Sequence, residues 1–272
     1  MFVKVDSMAL HYAQQGTGTP FVLLHAFPLS SAMWTRDAGC FARAARVITP
    51  DLPGFGGSPR QPQPSIPAMA QAVADLLDTL EIHEPVILAG LSMGGYVALE
   101  FMRQYPQRVK ALGLFSTKAA ADSPEQREGR FKLIERLRRE GLEVLLQATL
   151  PKLVGASTTA RRPAVIAEIE RSIRAADREG VMDAVRAMAE RGDSQPVLPT
   201  IACPALIVAG AEDALIPPKE SEGMAQAIPG AQLKVIPEAG HLVNLEVPDA
   251  FQDLVASWTR QVIEGKERTL QR

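Results

Sequence analysis

The chain has 272 residues, 46% of them hydrophobic and 22% charged, a size and composition that accommodate one large α/β domain with an inserted subdomain. A net formal charge of −2 leaves no global positive field to recruit nucleic acid or acidic lipid, so neither is an expected partner. Cys40 and Cys203 are the only cysteines and have no C-x-x-C neighbour; they exclude a disulfide framework and a zinc site, and are expected as small buried apolar groups.

The amino terminus meets Lys4 and Asp6 before an apolar h-region forms, and no uninterrupted apolar run approaches membrane-spanning length, so a soluble, cytoplasmic protein is expected. Phe2–Val5 and Ala9–Ala13, separated by Asp6 and Ser7, are predicted as an antiparallel hairpin on a sheet edge. Short apolar runs follow at Phe21–Leu24, Val47–Ile48, Val86–Leu88, Ala111–Phe115, Ala205–Ala209 and Leu233–Ile236, with helix-like segments between most of them. This alternation predicts a mostly parallel, twisted, eight-stranded α/β sheet with helices on both faces. The proline-rich stretch from Pro59 to Pro67 reads as a stiff connection. Between Ser116 and Pro199 the alternation stops. Helical patterns run through Glu125–Glu140, Leu142–Leu150, Pro163–Ala176 and Val181–Arg191, broken by Gly129, Gly141, Pro151, Gly155 and Gly180. An insertion that leaves from the carboxyl end of a strand, where ligands bind in open α/β sheets, lies over that edge. Residues 117–198 are therefore predicted as a helical lid on a core formed by 1–116 and 199–272, with an ordinary surface subdomain as the plainer alternative. From Glu264 onward the chain reads as a charged, solvated tail.

Ser92 sits in Gly90-Leu91-Ser92-Met93-Gly94, where the strand run Val86-Ile87-Leu88 gives way to Tyr96, Leu99 and Met102 at helical spacing. A strand-to-helix reversal within two or three residues forces unusual dihedrals at its apex. It also leaves no room for side chains two positions to either side, a demand that Gly90 and Gly94 meet. In this setting G-x-S-x-G is a nucleophile elbow, which lifts the hydroxyl above the sheet edge at a helix N-terminus; a glycine-rich helix start that happens to hold a serine is the bland alternative. A serine hydroxyl needs a base for its proton, and the base needs a third group to hold its tautomer. His241 is the only histidine after Ser92 and follows the last strand run, the place for the base. The acid is expected at the end of the preceding strand, where Glu212 and Asp213 stand. Asp213 is preferred because the turn begun at Gly210 is expected to return it to the sheet edge, with Glu212 pointing to solvent, and partly because of the resemblance given below. Backbone N–H groups must meet the developing oxyanion. Met93 supplies one at the start of the elbow helix, and Phe27 is the candidate for the other, in the loop His25-Ala26-Phe27-Pro28. His25 is expected to pin that loop by hydrogen bonds; His11 and His83 carry no hypothesis. Trp34 and Met33 are candidates to line the pocket, or equally to fill a core helix face, and Tyr96 is expected to pack. Lys118, at the mouth of the insertion, is a candidate to hold a substrate carboxylate, against the plainer reading of a solvated lysine.

The segments LLHAFPLSSAMW, ITPDLPGFGGS, LAGLSMGGYVALEFMRQYPQRVKALGL, PALIVAGAEDALIPP and IPEAGHLVNLEVPDAFQ, in this order and spacing, resemble the α/β-hydrolase superfamily. More narrowly they resemble its bacterial serine carboxylesterases, 3-oxoadipate enol-lactonases and cofactor-free haloperoxidase-like enzymes. The resemblance covers the sheet domain from about Phe21 to about Trp258 and implies the α/β-hydrolase fold. It also implies the chain order serine, acid, histidine, which matches Ser92, Asp213 and His241. Two departures stand out. The common His-Gly is His25-Ala26 here, adding a methyl beside the oxyanion loop, and the common Gly-x-Gly after the fourth strand is Gly54-Phe55-Gly56-Gly57. Relatives with an aspartate nucleophile, the haloalkane dehalogenases and epoxide hydrolases, are excluded by Ser92, whereas C–C bond hydrolases also use serine.

The expected function is a serine hydrolase that cleaves carboxylic esters or lactones of small molecules through an acyl-enzyme, with no metal or organic cofactor. A 3-oxoadipate enol-lactonase of aromatic catabolism is one alternative, and calls for a cation facing the free carboxylate. A non-catalytic ligand receptor of the same fold is the other, and an intact set of Ser92, Asp213 and His241 speaks against it.

Overall fold

The computed structural model describes residues 2–5 and 8–265, so Met1, Asp6, Ser7 and the predicted charged tail beyond residue 265 lie outside the described residues. The strands are β1 Phe2–Val5, β2 Met8–Gln15, β3 Pro20–Leu24, β4 Arg46–Pro50, β5 Val86–Leu91, β6 Val109–Phe115, β7 Ala205–Gly210 and β8 Gln232–Ile236. They form one eight-stranded sheet in the order β1-β2-β4-β3-β5-β6-β7-β8. β1 and β2 make the expected antiparallel hairpin, β2 runs antiparallel to β4, and every pairing from β4 to β8 is parallel. Every residue of β3, β5 and β7 is buried, which is why these strands read as continuous apolar runs without alternation. β8 closes the sheet and exposes Gln232, Lys234 and Val235.

The helices, in chain order, are α1 Thr35–Phe41, α2 Ile66–Thr79, α3 Met93–Gln104, α4 Pro124–Glu140, α5 Glu143–Ala148, α6 Leu150–Leu153, α7 Ala156–Arg161, α8 Pro163–Arg174, α9 Arg178–Ala189, α10 Pro218–Ala227, α11 Val243–Glu246 and α12 Pro248–Ile263. Against the sheet, α1 packs on α12 and α2 on α3. Phe251 of α12 is the hub of an aromatic cluster, 5.2 Å from Phe115 of β6, 6.1 Å from Trp34 and 6.5 Å from Phe41 between ring centroids. Full burial of each such ring contributes roughly 1.5–3 kcal/mol, so this cluster anchors the carboxyl-terminal helix to the sheet. Among the described residues no helix is long and apolar enough to cross a membrane.

Helices α4 to α9 lie between β6 and β7, as the break in alternation predicts. Local chemistry sets their ends. Ser123 and Gln126 form a capping box at the start of α4, Gly141 ends it at φ 73°, and the Asp177 carboxylate accepts the Gly180 N–H at 2.7 Å at the start of α9. Two of the expected helix breakers do not break: Gly129 lies inside α4 and Gly180 in the first turn of α9. Gly180 instead allows close approach, because a Cβ there would overlap the Gly54 carbonyl in the loop after β4. The pattern from Leu142 to Leu150 divides at Thr149 into α5 and α6, and α7, Ala-Ser-Thr-Thr-Ala-Arg, has no apolar periodicity to announce it. Cys40 and Cys203 are unbridged and only partly buried; burial pushes the Cys203 thiol up to about 11.

Candidate active site

Ser92 follows β5 with φ 55° and ψ −112°, outside the regions an L-residue ordinarily occupies, and caps α3. The strain is over-determined by hydrogen bonds. The Ser92 N–H donates to Phe115 O at 2.9 Å, and its carbonyl accepts the Gly95 N–H at 2.9 Å and the hydroxyl of buried Thr117 at 2.8 Å. A Cβ at Gly90 would overlap the Gly94 carbonyl, and one at Gly94 would overlap the Leu24 carbonyl. Gly95, which the sequence did not single out, is required as well: a Cβ there would lie 2.5 Å from Thr117 Oγ1.

His241 and Asp213 are both fully buried, in the loops after β8 and β7, and His241 Nδ1 lies 2.8 Å from Asp213 Oδ2. Asp213 Oδ1 accepts the N–H groups of Leu215 and Ile216, each at 2.9 Å, so the carboxylate is held on both oxygens. His241 Nε2 is buried without a hydrogen-bond partner, and no hydrogen bond joins it to the Ser92 hydroxyl. Such contacts are often long in the absence of substrate and tighten in its complex.

Phe27 lies in a loop pinned by His25. The Leu52 N–H donates to His25 Nε2 at 2.9 Å, which puts the ring proton on Nδ1, 3.1 Å from the Ala26 carbonyl. Burial lowers the pKa of His25 and keeps it neutral. The Ala26 N–H donates to Met33 Sδ at 3.3 Å. The N–H groups of Phe27 and Met93 have no acceptor among the described residues; at the first position of α3 none is available within the helix. Asp51, unremarked in the sequence, organises the neighbouring turn. Its carboxylate accepts Ser31 N–H at 2.7 Å and Gly57 N–H at 2.9 Å, and lies 2.7 Å from His11 Nδ1. Burial works against its charge, but these hydrogen bonds hold its pKa below the usual range. The signal was there in Pro-Asp-Leu-Pro-Gly-Phe-Gly-Gly, since an aspartate before a glycine-rich turn can bond its exposed N–H groups.

Asp37 ties α1 to the histidine loop. It accepts Asn244 Nδ2 at 2.9 Å and Gln252 Nε2 at 3.0 Å, and Asn244 also donates to Met33 O at 3.2 Å. Burial raises its pKa from 3.8 to about 6 against these two hydrogen bonds and the charge of Arg36. The folded protein therefore keeps a proton that the unfolded chain releases between about pH 4 and pH 6. Stability from this group is lost as pH rises through that window, by about 3 kcal/mol in all. Urea unfolding across this range should show the stability of the wild type relative to Asp37→Asn falling as pH rises, whatever the other carboxylates add to both proteins alike; equal slopes in the two proteins would refute it.

Ser92 opens into a cavity of about 310 Å³, the size of a small-molecule site, walled by the core and the inserted helices. Phe27, Leu153, Met188 and Ile216 supply apolar wall, and Lys118, Arg130 and Lys152 also line it. Lys118 is not a solvated lysine; its side chain is 11% exposed and donates to Gln126 Oε1 at 3.0 Å. Tyr96 lines the wall beneath the Arg191 guanidinium, 4.2 Å from its ring centroid. Trp34 must be corrected: it is absent from the wall and fully buried against Phe251, because the helix face that carries it turns into the core. Among the described residues no group of three or more His, Cys, Asp or Glu could hold a metal.

The inserted helices grip the loops that carry Asp213 and His241. Glu212 does not point to solvent; its carboxylate accepts the Ser157 N–H at 2.8 Å and hydroxyl at 2.6 Å at the start of α7. Buried Glu246 accepts the N–H groups of Gly155 at 2.8 Å and Leu242 at 3.1 Å, and the Leu242 N–H is shared with Leu153 O at 3.2 Å. A Cβ on Gly240 would overlap the Gly155 nitrogen. No periodicity or motif announces the contacts of Glu212 with Ser157 and of Glu246 with Gly155, since each joins residues more than fifty positions apart.

A parallel sheet entered through an antiparallel hairpin, with a strained serine after its central strand and a buried His–Asp pair after its last two, defines the α/β-hydrolase class. The family model for the alpha/beta hydrolase fold matches residues 19–248, and the chain belongs to that family. The dihydrolipoyllysine-residue acetyltransferase component of the acetoin cleaving system of Pseudomonas putida is 32% identical over 257 residues, which span 90% of this chain and 64% of that protein. A thermophilic esterase from Thermogutta terrifontis, solved with malate bound, is 40% identical with a TM-score of 0.93, over 96% of this chain and 98% of its own. The enol-lactonase from Burkholderia xenovorans LB400 is 29% identical with a TM-score of 0.88, over 96% of this chain and 100% of its own.

Proposed function

We propose that the chain is a serine hydrolase of small carboxylic esters or lactones. Ser92 attacks the carbonyl carbon as His241 Nε2 takes the hydroxyl proton, and Asp213 holds the Nδ1–H tautomer and stabilises the imidazolium. The N–H groups of Phe27 and Met93 receive the oxyanion. His241 then returns the proton to the leaving alcohol and activates a water that releases the acid from Ser92. Residues 117–198 act as a cap on a core of 1–116 and 199–272, with the substrate between them.

The observation that carries this reading is the asymmetry of His241. Its Nδ1 is bonded to Asp213, while Nε2 is buried without a partner. Leaving a buried polar nitrogen unpaired costs about 1–3 kcal/mol, a cost that His25, bonded at both nitrogens, does not carry. A reacting base needs that nitrogen open. The esterase and enol-lactonase among the similar structures support an ester or lactone carbonyl as the target.

A fluorophosphonate probe should form one adduct, at Ser92, that is lost in His241→Ala. No adduct on folded wild-type protein would favour the receptor reading instead. A panel of p-nitrophenyl esters of increasing acyl length, run beside 3-oxoadipate enol-lactone, separates ester from lactone preference.

A further inference from the structure

Three positive side chains share one carboxylate beside the cavity. Asp122, with a side chain 2% exposed, pairs with Arg130 Nε, with Arg191 Nη1 at 2.9 Å and with Lys118 Nζ at 3.4 Å. Arg191 is otherwise satisfied within the protein: it donates to the carbonyls of Met188 and Ala120, each at 2.8 Å, and lies over the Tyr96 ring. Lys118 and Arg130 are not. Both line the cavity that holds Ser92; beyond Asp122, Lys118 has the neutral Gln126 and Arg130 has the Met188 thioether at 3.7 Å. Arg130 Nη2 has no hydrogen-bond partner among the described residues. Lys152, itself exposed to solvent, adds a third cation at the rim and forms no ion pair among the described residues, and no carboxylate lines the cavity, so the cations drawn out of water are Lys118 and Arg130. Cations drawn out of water in excess of their counter-charge are unfavourable unless a further anion completes the set.

We infer that the cavity recognises a substrate carboxylate between Lys118 and Arg130, so that the preferred substrate is an anionic ester or lactone, such as the half-ester of a dicarboxylic acid. The inference rests on the serine hydrolase reading and deepens it. Arg130 Nη1 and Nη2 supply a planar pair of donors and Lys118 a point charge, while Asp122 fixes both cations from behind. The Phe27 and Met188 surfaces accommodate the methylene chain that separates the carboxylate from the scissile carbonyl.

Monomethyl glutarate and monomethyl adipate, followed by pH-stat beside their dimethyl esters, test this directly. In the wild type kcat/KM for the half-ester should exceed that for the diester by about tenfold or more at low salt, and the ratio should fall as ionic strength rises. Lys118→Gln and Arg130→Gln should each lower the ratio about tenfold, chiefly through KM for the half-ester. Lys132→Gln, an exposed lysine paired with Glu128 on α4, should leave the ratio unchanged. Should the arginine or lysine variant fail to fold, the wild type still answers: adipate should protect Ser92 from the fluorophosphonate and uncharged adipamide should not. A diester preference in the wild type, an unchanged ratio in both glutamine variants, or absent protection by adipate would overturn the inference. With labelling and diester hydrolysis intact, such a result removes the carboxylate site alone; loss of labelling and of all hydrolysis removes the hydrolase reading with it.

Discussion

Replacing Asp213 by asparagine is expected to lower kcat on an ester by about 10⁴-fold while leaving the fold intact. The argument is one of proton placement. Oδ1 of Asp213 accepts two backbone N–H groups, from Leu215 and Ile216, so an asparagine must keep its carbonyl oxygen there. Its NH₂ then faces His241 Nδ1, which has to become the acceptor. The ring proton moves to Nε2, the nitrogen that must take the proton of Ser92, and the base is lost without any change of shape. Ser92→Ala should cost more, about 10⁵–10⁶-fold, and the double variant no more than Ser92→Ala alone, because residues that act as a unit are not additive. Steady-state kinetics with a thermal melt on each variant checks both statements. An asparagine variant within tenfold of wild type would show that the tautomer of His241 does not govern the reaction.

The parts of this fold that were legible in the sequence are those where a backbone demand leaves few residue choices. β3, β5 and β7 announce themselves because burial on both faces requires apolar residues throughout. Gly90 and Gly94 announce the turn because carbonyls occupy the places where their side chains would be. His241 stood out as the only histidine after Ser92, and Asp213, chosen over Glu212 partly from the turn at Gly210 and partly from the resemblance, is the carboxylate that lies against His241. What the sequence hid depends on elements meeting from distant parts of the chain. Glu212 was expected in water because nothing near it in sequence shows that Ser157 of the insertion will lie against it. Trp34 has the helical spacing of either a wall or a core residue, and only Phe251, more than two hundred positions on, decides for the core. The same limit applies to Lys118, whose burial follows from Asp122 and Gln126 on the segment that starts α4.

Alanine at Gly90 should unfold the protein more readily and also disable it. The added methyl would overlap the Gly94 carbonyl and lie 2.6 Å from the Gly95 nitrogen, both backbone atoms in the first turn of α3. Neither side can yield cheaply. Gly90 is paired in the sheet with Leu24 on one side and Leu114 on the other, and the first ten residues of α3, Met93 to Met102, are all buried. Relief requires α3 to shift at its start, and Ser92 shifts with it. The expected cost is about 3 kcal/mol, a fall in melting temperature of roughly 6–12 °C, with a loss of about 10²-fold or more in kcat from the displaced nucleophile. Gly223→Ala supplies the contrast. This glycine lies inside α10 with nothing within 4 Å of the added carbon, so the substitution should stabilise by about 0.5–1 kcal/mol and leave catalysis alone. Both substitutions remove the same backbone freedom and only Gly90 adds a steric clash, so melting curves with kcat for both variants isolate it. A Gly90→Ala protein that melts with the wild type and keeps its rate would mean that the turn can carry Ser92 without the close approach of β5 to α3.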